Sequence, residues 1–243
     1  MKLFQYWDTG QPPDEVAGWI EGFRANNPDL RHRLYNRGSA GHLILKQLGE
    51  RHRRAFDACA VPAMQADYFR LCALYAKAGV YVDADFQSLA PLSGLLDQAP
   101  RSLMLVWRER VNTGLMMFRR RRDAVVGACL ELATRNIEAR HPGRVWLITG
   151  PALPNIVRAL VDPDWAQRSE PPRRNIGNYL EPARAIVEVS PALIASVRSM
   201  TMLHTLAVET WIGTLAPAYK TTAAHWTNWQ GSIYQEPGPP ATP

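Results

Sequence analysis

Two aspartates separated by a single residue, Asp83 and Asp85, are the pair of side chains in this sequence best suited to hold a metal ion. They follow the apolar run Val80 to Val82, which is typical of a buried strand. Alternate side chains of an extended segment point the same way, so we expect both carboxylates to face one point in space. Such a pair of oxygen ligands suits a hard divalent cation, Mg²⁺ or Mn²⁺. The carboxyl end of a strand is also where open α/β sheets bind ligands.

A predicted helix before this strand adds two charged groups. Asp67 and Arg70 lie three residues apart and therefore share one helix face. We predict an amphipathic helix, because the opposite stripe is apolar and consists of Tyr68, Leu71, Cys72 and Tyr75. Taken alone, Asp67 and Arg70 also fit a solvated ion pair that contributes a few tenths of a kcal/mol.

The aspartate pair has other interpretations. Asp83 and Asp85 also fit side chains that cap a turn. Aspartyl-phosphate phosphatases share the spaced pair, but they expect Thr or Val two residues after the second aspartate, and Gln87 stands there. The combination of Asp67 and Arg70 with the later pair is nevertheless typical of a binding site.

The segment as a whole resembles the DxD sugar-binding signature of glycosyltransferase family 32 and its relatives, which include bacterial capsule enzymes, mannosyltransferases and toxin glucosyltransferases. The residues that carry the resemblance are Asp67-Tyr68-Phe69-Arg70, Leu74-Tyr75 and Ala78-Gly79-Val80-Tyr81-Val82-Asp83-Ala84-Asp85. The sequence departs from the family pattern at Ala78, where a second glycine is usual, and at Asn228, where serine is usual. The resemblance is strong over residues 63–92 and weaker elsewhere.

The resemblance implies a fold and an activity. The fold would be a single α/β domain over residues 1–231, GT-A-like and Rossmann-like, with a mixed central sheet and flanking helices. The activity would be metal-dependent transfer of a sugar from a UDP- or GDP-linked donor, with retention of configuration. The acceptor would be a glycan, a lipid-linked molecule or a protein, and no nucleic acid is expected as a partner.

The resemblance also assigns roles to residues along the chain. As catalytic residues it implies Asp83, Asp85 and Arg70, with Mn²⁺ or Mg²⁺ held by Asp83, Asp85 and His225. The donor-binding residues it implies are Trp7, Asp67, Arg70, Asp83, Asn112 and Trp229. Three of the residues given roles also have structural alternatives. Trp7 also fits a core tryptophan, Asn112 an Asx turn and His225 a structural histidine. Thr149-Gly150-Pro151 is expected to border the cleft.

Composition sets outer limits on the protein. The 243 residues are 47% hydrophobic, enough for one sizeable core. The three cysteines, Cys59, Cys72 and Cys129, lie in apolar helical patterns and are expected to be reduced core thiols. With no apolar run of membrane-spanning length and no cleavable leader pattern at Met1, we expect a soluble, cytoplasmic protein.

The net charge of +6 favours anionic partners such as a nucleotide diphosphate, a polyanionic acceptor or a membrane surface. Two basic runs, residues 51–54 and Arg119 to Arg122, are each either a solvated face or a binding patch. The second run also leaves open a peripheral contact with an anionic acceptor or a membrane.

Periodicity predicts the remaining elements. We expect strands over residues 3–7, 33–35, 103–107, 145–149 and 185–189, and helices over 14–26, 123–140 and 191–200. Residues 167–178 are expected to form a polar loop, and 232–243 a disordered tail. Two further functions remain open, namely a nucleotide-sugar-binding protein without turnover and an effector that modifies protein side chains.

Overall fold

The computed structural model describes residues 1–107, 110–168, 170–214, 229 and 231–235, with the side chains of 166–175 left aside. Its strands are β1 (Lys2–Tyr6), β2 (Arg31–Tyr35), β3 (Gly79–Val82), β4 (Phe86–Ser88), β5 (Ser102–Trp107), β6 (Arg110–Phe118), β7 (Thr201–His204) and β8 (Ile212–Thr214). Its α-helices are α1 (Asp14–Asn26), α2 (Arg37–Leu48), α3 (Glu50–Asp57), α4 (Pro62–Lys77), α5 (Ser93–Leu96), α6 (Ala124–Glu138), α7 (Val145–Ile148), α8 (Ala152–Val161), α9 (Pro163–Arg168), α10 (Glu170–Arg184) and α11 (Pro191–Arg198), with a 3₁₀ turn at Thr205–Val208.

Within these residues the central sheet has six strands in the order β2-β1-β3-β6-β5-β7. Strands β1, β2 and β3 are parallel, β6 runs antiparallel to both of its neighbours, and β7 is parallel to β5. Five strands therefore begin at one edge of the sheet, the amino edge, and end at the opposite carboxyl edge. The mixed sheet with helices on its faces confirms the predicted α/β fold. A separate pair, β4 and β8, follows the carboxyl end of β3.

Helix α1 forms as its apolar spacing predicts. Its buried residues are Val16, Trp19, Ile20 and Phe23, and Asp14 and Glu15 in the first turn favour the positive end of the helix dipole. Helix α2 begins with a capping box, in which the Asn36 side chain accepts from the backbone of Ser39 while the Ser39 side chain accepts from the backbone of Asn36.

Helix α4 lies inside the protein, and the prediction of an amphipathic helix is wrong. Both the Tyr68 side and the Asp67 side are buried, and the apolar core contacts most of the helix. Asp67 and Arg70 are also buried, because neighbouring segments supply polar partners that no local pattern shows. Ala78 ends the helix at a φ of 55° and Gly79 follows at 132°. A Cβ at Gly79 would lie 2.6 Å from the Lys2 carbonyl oxygen, so β3 can lie beside β1 only with glycine there.

Three predicted elements differ in the structure. Residues 145–148 form the short helix α7 and not a strand, because a run of four apolar residues does not distinguish the two. The predicted polar loop over residues 167–178 falls on the end of α9 and the first part of α10. Pro171 and Pro172 lie in the first turn of α10, a position that tolerates proline. Residues 185–189 continue from α10 as a turn and an irregular segment in place of the expected strand.

The basic run of α3 serves packing. Arg51 forms forked ion pairs with Glu131 and Glu138 of α6, and Arg53 pairs with Asp57. The run is therefore a structural contact between helices more than a solvated face. The cysteines Cys59, Cys72 and Cys129 are buried free thiols, as predicted. Among the described residues, none of the helices combines the length and the apolar character that crossing a bilayer requires.

Candidate active site

The two aspartates of the DxD sit on a turn and not on an extended strand. Strand β3 ends at Val82, and the backbone N–H of Phe86 donates to the Asp83 carbonyl oxygen at 3.1 Å, which closes a turn over residues 83–86. The Asp83 N–H donates to the carbonyl of Gly114 at 2.8 Å, which fixes the start of the turn to β6. We expected both carboxylates to face one point because side chains alternate along a strand. That reason is wrong, because the strand ends before Asp83.

Arg70 joins the helix to this turn. Its Nη1 lies 3.0 Å from the Asp67 carboxylate and its Nη2 lies 2.6 Å from Oδ1 of Asp83. The side chains of Arg70, Asp67 and Asp83 are only 6%, 11% and 27% exposed, which rules out the solvated surface pair. Arg70 also lies over the ring of Tyr81, 4.8 Å from its centroid. We call Asp67, Arg70 and Asp83 the buried triad.

Burial changes the protonation of the triad. The pKa of Asp67 is raised to about 6 by burial, against the opposing effects of Arg70 and of a hydrogen bond from Thr149. Burial also raises the pKa of Asp83, and the nearby charge of Asp85 adds to the rise while Arg70 opposes it. Burial works against the charged form of Arg70, but the two carboxylates outweigh it and raise the pKa of Arg70. Without the guanidinium, two carboxylates would be left in a poorly hydrated site.

A bulge in β6 supplies the third partner of Arg70. Pairing of β5 with β6 passes from Met104 opposite Met116 to Leu105 opposite Asn112, so residues 113–115 lie outside the regular ladder. The Thr113 hydroxyl accepts a hydrogen bond from Arg70 Nη1. Bulges of this kind redirect side chains near active sites, and this one directs Thr113 toward α4.

Gly114 occupies the tightest point of the site. A Cβ there would lie 2.4 Å from Cζ of Phe86 and 3.0 Å from both Oδ2 of Asp83 and Oδ1 of Asn112. The same Asn112 oxygen accepts the Gly114 N–H at 2.8 Å. Asn112 thus makes a local side-chain to backbone bond like that of an Asx turn, the structural alternative to donor binding, although it lies in a strand. Its side-chain oxygen makes this bond close to the Asp83 carboxylate.

Residues 149–150 border the triad. Thr149 is buried and hydrogen bonds to Asp67. A Cβ at Gly150 would lie 3.0 Å from Oδ2 of Asp67, so the backbone approaches the carboxylate closely. Asp67 is therefore held from two sides, by Arg70 within its own helix and by the segment before α8.

Trp7 follows β1 directly at the carboxyl edge. It is half-buried and packs against a small apolar cluster that includes Trp19 and Ala84, the residue between the two DxD aspartates. The structure thus brings Trp7 next to the DxD turn, while the part of the side chain that stays exposed can still meet a ligand.

Sequence reasoning missed a buried polar chain behind the turn. Gln5 of β1 is fully buried, and its Nε2 lies 3.4 Å from the Asp83 carbonyl oxygen while its Oε1 lies 2.8 Å from Nε2 of His32. Since the Gln5 oxygen is an acceptor, the His32 nitrogen that faces it carries the proton. Burial lowers the pKa of His32 to about 4, which keeps the ring neutral. The available signal was one polar residue inside the apolar run of β1.

The described residues include only some of the C-terminal residues predicted for the site. His225 and Asn228 lie outside the described residues. Trp229 is 38% exposed and donates from Nε1 to the Ser232 carbonyl at 3.1 Å. Residues 233–235 pair with residues 58–60, ahead of α4, and Tyr234 is buried there. The rest of the predicted tail, residues 236–243, lies outside the described ranges.

The residues at the DxD turn fit a divalent cation. Among the described residues, no group of three or more His, Cys, Asp and Glu side chains is gathered at one point. Mg²⁺ and similar ions need no such cage, because they are commonly held by one or two carboxylates together with substrate phosphates and water. Asp83 and Asp85 provide these carboxylates. Arg70 forms its ion pair with Oδ1 of Asp83.

Part of the chain is similar to known glycosyltransferases. Residues 13–102 match the family described as "Glycosyltransferase sugar-binding region containing DXD motif". The solved structure "PaToxG Glycosyltransferase" is similar over 81% of this chain and 85% of its own, with a TM-score of 0.51 and 16% sequence identity, which is a likeness of fold. The chain is thus similar in fold to a glycosyltransferase and carries a region similar to the DxD family, and the resemblance predicted from residues 63–92 is confirmed.

One relative is similar over part of the chain. The "Initiation-specific alpha-1,6-mannosyltransferase" of Schizosaccharomyces pombe is 29% identical over 101 residues. That stretch covers 39% of this chain and a quarter (25%) of the relative. The match over residues 13–102 includes α1, α4, β3 and the DxD turn.

Proposed function

We propose that this protein is a metal-dependent glycosyltransferase that moves a sugar from a UDP- or GDP-linked donor to an acceptor, with retention of configuration. The observation that carries the proposal is the buried triad next to the DxD turn, within the region matched as a sugar-binding region. Buried charges are costly unless they are paired, and a purely structural network would gain little from placing Asp83 partly exposed at the carboxyl edge.

In this proposal Asp83 and Asp85 hold Mn²⁺ or Mg²⁺, with His225 as a further ligand from the C-terminal segment. When bound, the ion acts as a Lewis acid that neutralises charge on the departing nucleoside diphosphate. The chain itself contributes fixed positions. Arg70 keeps the Asp67 and Asp83 carboxylates in place, so that little reorganisation is needed when charge develops.

The donor would lie along the carboxyl edge. Asp67 offers a carboxylate to sugar hydroxyls, and the amide of Asn112 offers donors beside Asp83. The terminal nitrogens of Arg70 already meet Asp67, Thr113 and Asp83, so we assign Arg70 chiefly to positioning and less to direct contact with phosphate. Trp7 would stack on the nucleotide base, an interaction worth roughly 1–3 kcal/mol, and Trp229 would close over the donor.

The acceptor is proposed only by class, as a glycan, a lipid-linked molecule or a protein. The similarity to a mannosyltransferase favours a mannosyl donor, so GDP-mannose is a rational first donor to assay.

The test is release of free nucleotide from a panel of UDP- and GDP-sugars with and without Mn²⁺. We expect Asp85→Asn to lose at least about 100-fold of the Mn²⁺-dependent rate, since such electrostatic terms are worth several kcal/mol. Asp97→Asn, an exposed aspartate just after α5, is the matched control and should be unaffected. Full activity of Asp85→Asn would refute the assignment. Calorimetric binding of a donor without nucleotide release under any acceptor would favour a binding protein instead.

A further inference from the structure

The amino edge of the sheet, opposite the DxD turn, gathers basic residues that are scattered through the sequence. Strands β1, β2, β3 and β5 begin there and β6 ends there. The basic edge, as we call it, is formed by Lys2, Arg31, Lys46, Lys77, Arg101 and Arg119 to Arg122. The sequence showed only its last part, as a run of four arginines.

Specific contacts bring the edge together. Lys2 and Arg31 are paired in register on neighbouring parallel strands, so their side chains point to the same face of the sheet. Lys77 ends α4, and the Arg121 guanidinium donates to the adjacent Ala76 carbonyl at 2.7 Å. The Lys2 backbone packs against Gly79, two residues after Lys77. Three cations from separate segments thus meet where α4 turns into β3.

Lys46 belongs to the same group. It lies in the last turn of α2, and its charge reaches Lys77. Burial and the neighbouring charges of Lys2, Arg121 and Lys46 lower the pKa of Lys77. None of Lys2, Arg31, Lys46, Lys77 or Arg121 forms an ion pair with a described residue. By the same placement four acids, Asp29, Glu50, Asp97 and Asp123, also lie at this edge. The nine basic residues outnumber them, so the edge keeps a net positive charge.

The helix dipole explains part of this pattern but not all of it. Lys46 and Lys77 lie at helix C-termini, where cations are favourable, and Arg119 caps carbonyls of α5 and the residues that follow. Lys2, Arg31 and Arg120 have no such role. Gathering like charges destabilises a folded protein unless a partner compensates.

Two exposed apolar side chains lie on the same edge. Met1 precedes Lys2 and is 41% exposed, and Leu45 precedes Lys46 and is 37% exposed. Trp107, by contrast, ends β5 at the carboxyl edge. Nucleic-acid binding relies on exposed aromatic rings for stacking, whereas basic residues interspersed with aliphatic ones are typical of a surface that rests on anionic lipid headgroups.

We propose that the basic edge docks the protein on an anionic phospholipid surface, with the DxD turn facing away from the lipid. The orientation follows from the sheet, because Asp83 and Asp85 lie past the carboxyl end of β3 while Lys2 and Lys77 lie at the amino edge. An acceptor would then reach the site from the aqueous side.

Binding to vesicles tests the surface independently of any transferase activity. The probes are sedimenting vesicles of phosphatidylcholine alone and of phosphatidylcholine mixed with phosphatidylserine, at low and at physiological salt. We expect binding only to the anionic vesicles, weakened by salt. Lys77→Glu/Arg120→Glu should lower the partition coefficient by about 25-fold or more, since each basic residue near such a surface contributes about fivefold.

The control has the same change in charge. Arg54→Glu/Arg144→Glu alters exposed arginines away from the amino edge, on α3 and before α7, and should bind within about twofold of the wild type, since electrostatic attraction falls off within a Debye length of the surface. Equal loss in both double variants would show a net-charge effect and overturn the proposal. Binding to RNA or DNA with no binding to anionic vesicles would overturn it as well.

Orientation has its own readout. Leu45→Cys and Leu206→Cys each place a single accessible thiol for a polarity-sensitive dye, because Cys59, Cys72 and Cys129 are buried. Leu206 is 66% exposed and follows β7 at the carboxyl edge. We expect a blue shift with anionic vesicles for the label at 45 and none at 206. A shift at 206 alone would show that the other edge meets the lipid.

Discussion

Replacing Arg70 by methionine tests whether the buried triad is a true charge network. Methionine has a similar length and no charge, so Arg70→Met leaves the carboxylates of Asp67 and Asp83 without their partner. Both are mostly buried, at 11% and 27% side-chain exposure. Breaking a buried pair by removing one partner costs about 3–5 kcal/mol. We expect a loss of that size in the free energy of unfolding, measured by urea denaturation at pH 8.

The loss should shrink in acid. Burial already raises the pKa of Asp67 to about 6 in the wild type, and removing the guanidinium raises it further. A carboxyl group whose pKa is higher in the folded state than in the unfolded state binds protons first in the folded state. Its penalty is therefore present at high pH and is relieved as the pH falls below the folded pKa. Each further unit of pKa shift is worth about 1.4 kcal/mol, so the loss at pH 5 should be smaller than at pH 8 by at least that amount.

Two further variants keep this prediction testable. Arg135→Met removes an ion pair of Arg135 that is 59% exposed, and should cost only about 0.2–1 kcal/mol. Asp67→Asn in the Arg70→Met background removes one orphaned charge and should recover part of the stability at pH 8. The reasoning would be refuted if Arg70→Met cost no more than Arg135→Met, or if its cost were the same at both pH values.

The remaining predictions concern the bulge and the α3–α6 contact. Gly114→Ala places a Cβ too close to the Phe86 ring, so it should cost about 1–3 kcal/mol of stability and reduce nucleotide release. Gly22→Ala, in the open middle of α1, is the control and should be neutral or stabilising. If Phe86→Leu does not reduce the cost of Gly114→Ala in thermal denaturation, the clash is not the cause. Arg51→Met should cost about 1 kcal/mol at pH 7 after solvent screening. Hydrogen bonds from Arg51 lower the pKa of Glu131 and Glu138. The stabilisation by Arg51 is therefore present above the ordinary pKa of these glutamates and is lost as the pH falls through their lowered folded values. If Arg51→Met cost as much stability at pH 3 as at pH 7, this explanation would be contradicted.

The sequence by itself determined several local elements and the region that matches a sugar-binding family. Spacing of apolar residues predicted α1 and β3, and the order of Asp67, Arg70, Asp83 and Asp85 predicted a sugar-binding region, because such signals depend on residues close together in the chain. It failed where the local signal is ambiguous. A run of four apolar residues at α7 fits a helix or a strand equally well.

Only the tertiary structure decided the environment of the site. No local pattern shows that α4 is buried on its polar side, that a bulge brings Thr113 to Arg70, or that Gln5 lies behind the Asp83 carbonyl. These contacts join segments far apart in the chain. An exposed i,i+3 ion pair contributes little to stability, whereas removing one partner of the buried network is strongly destabilising. The basic edge has the same origin, since strand direction collects cations that the sequence keeps apart.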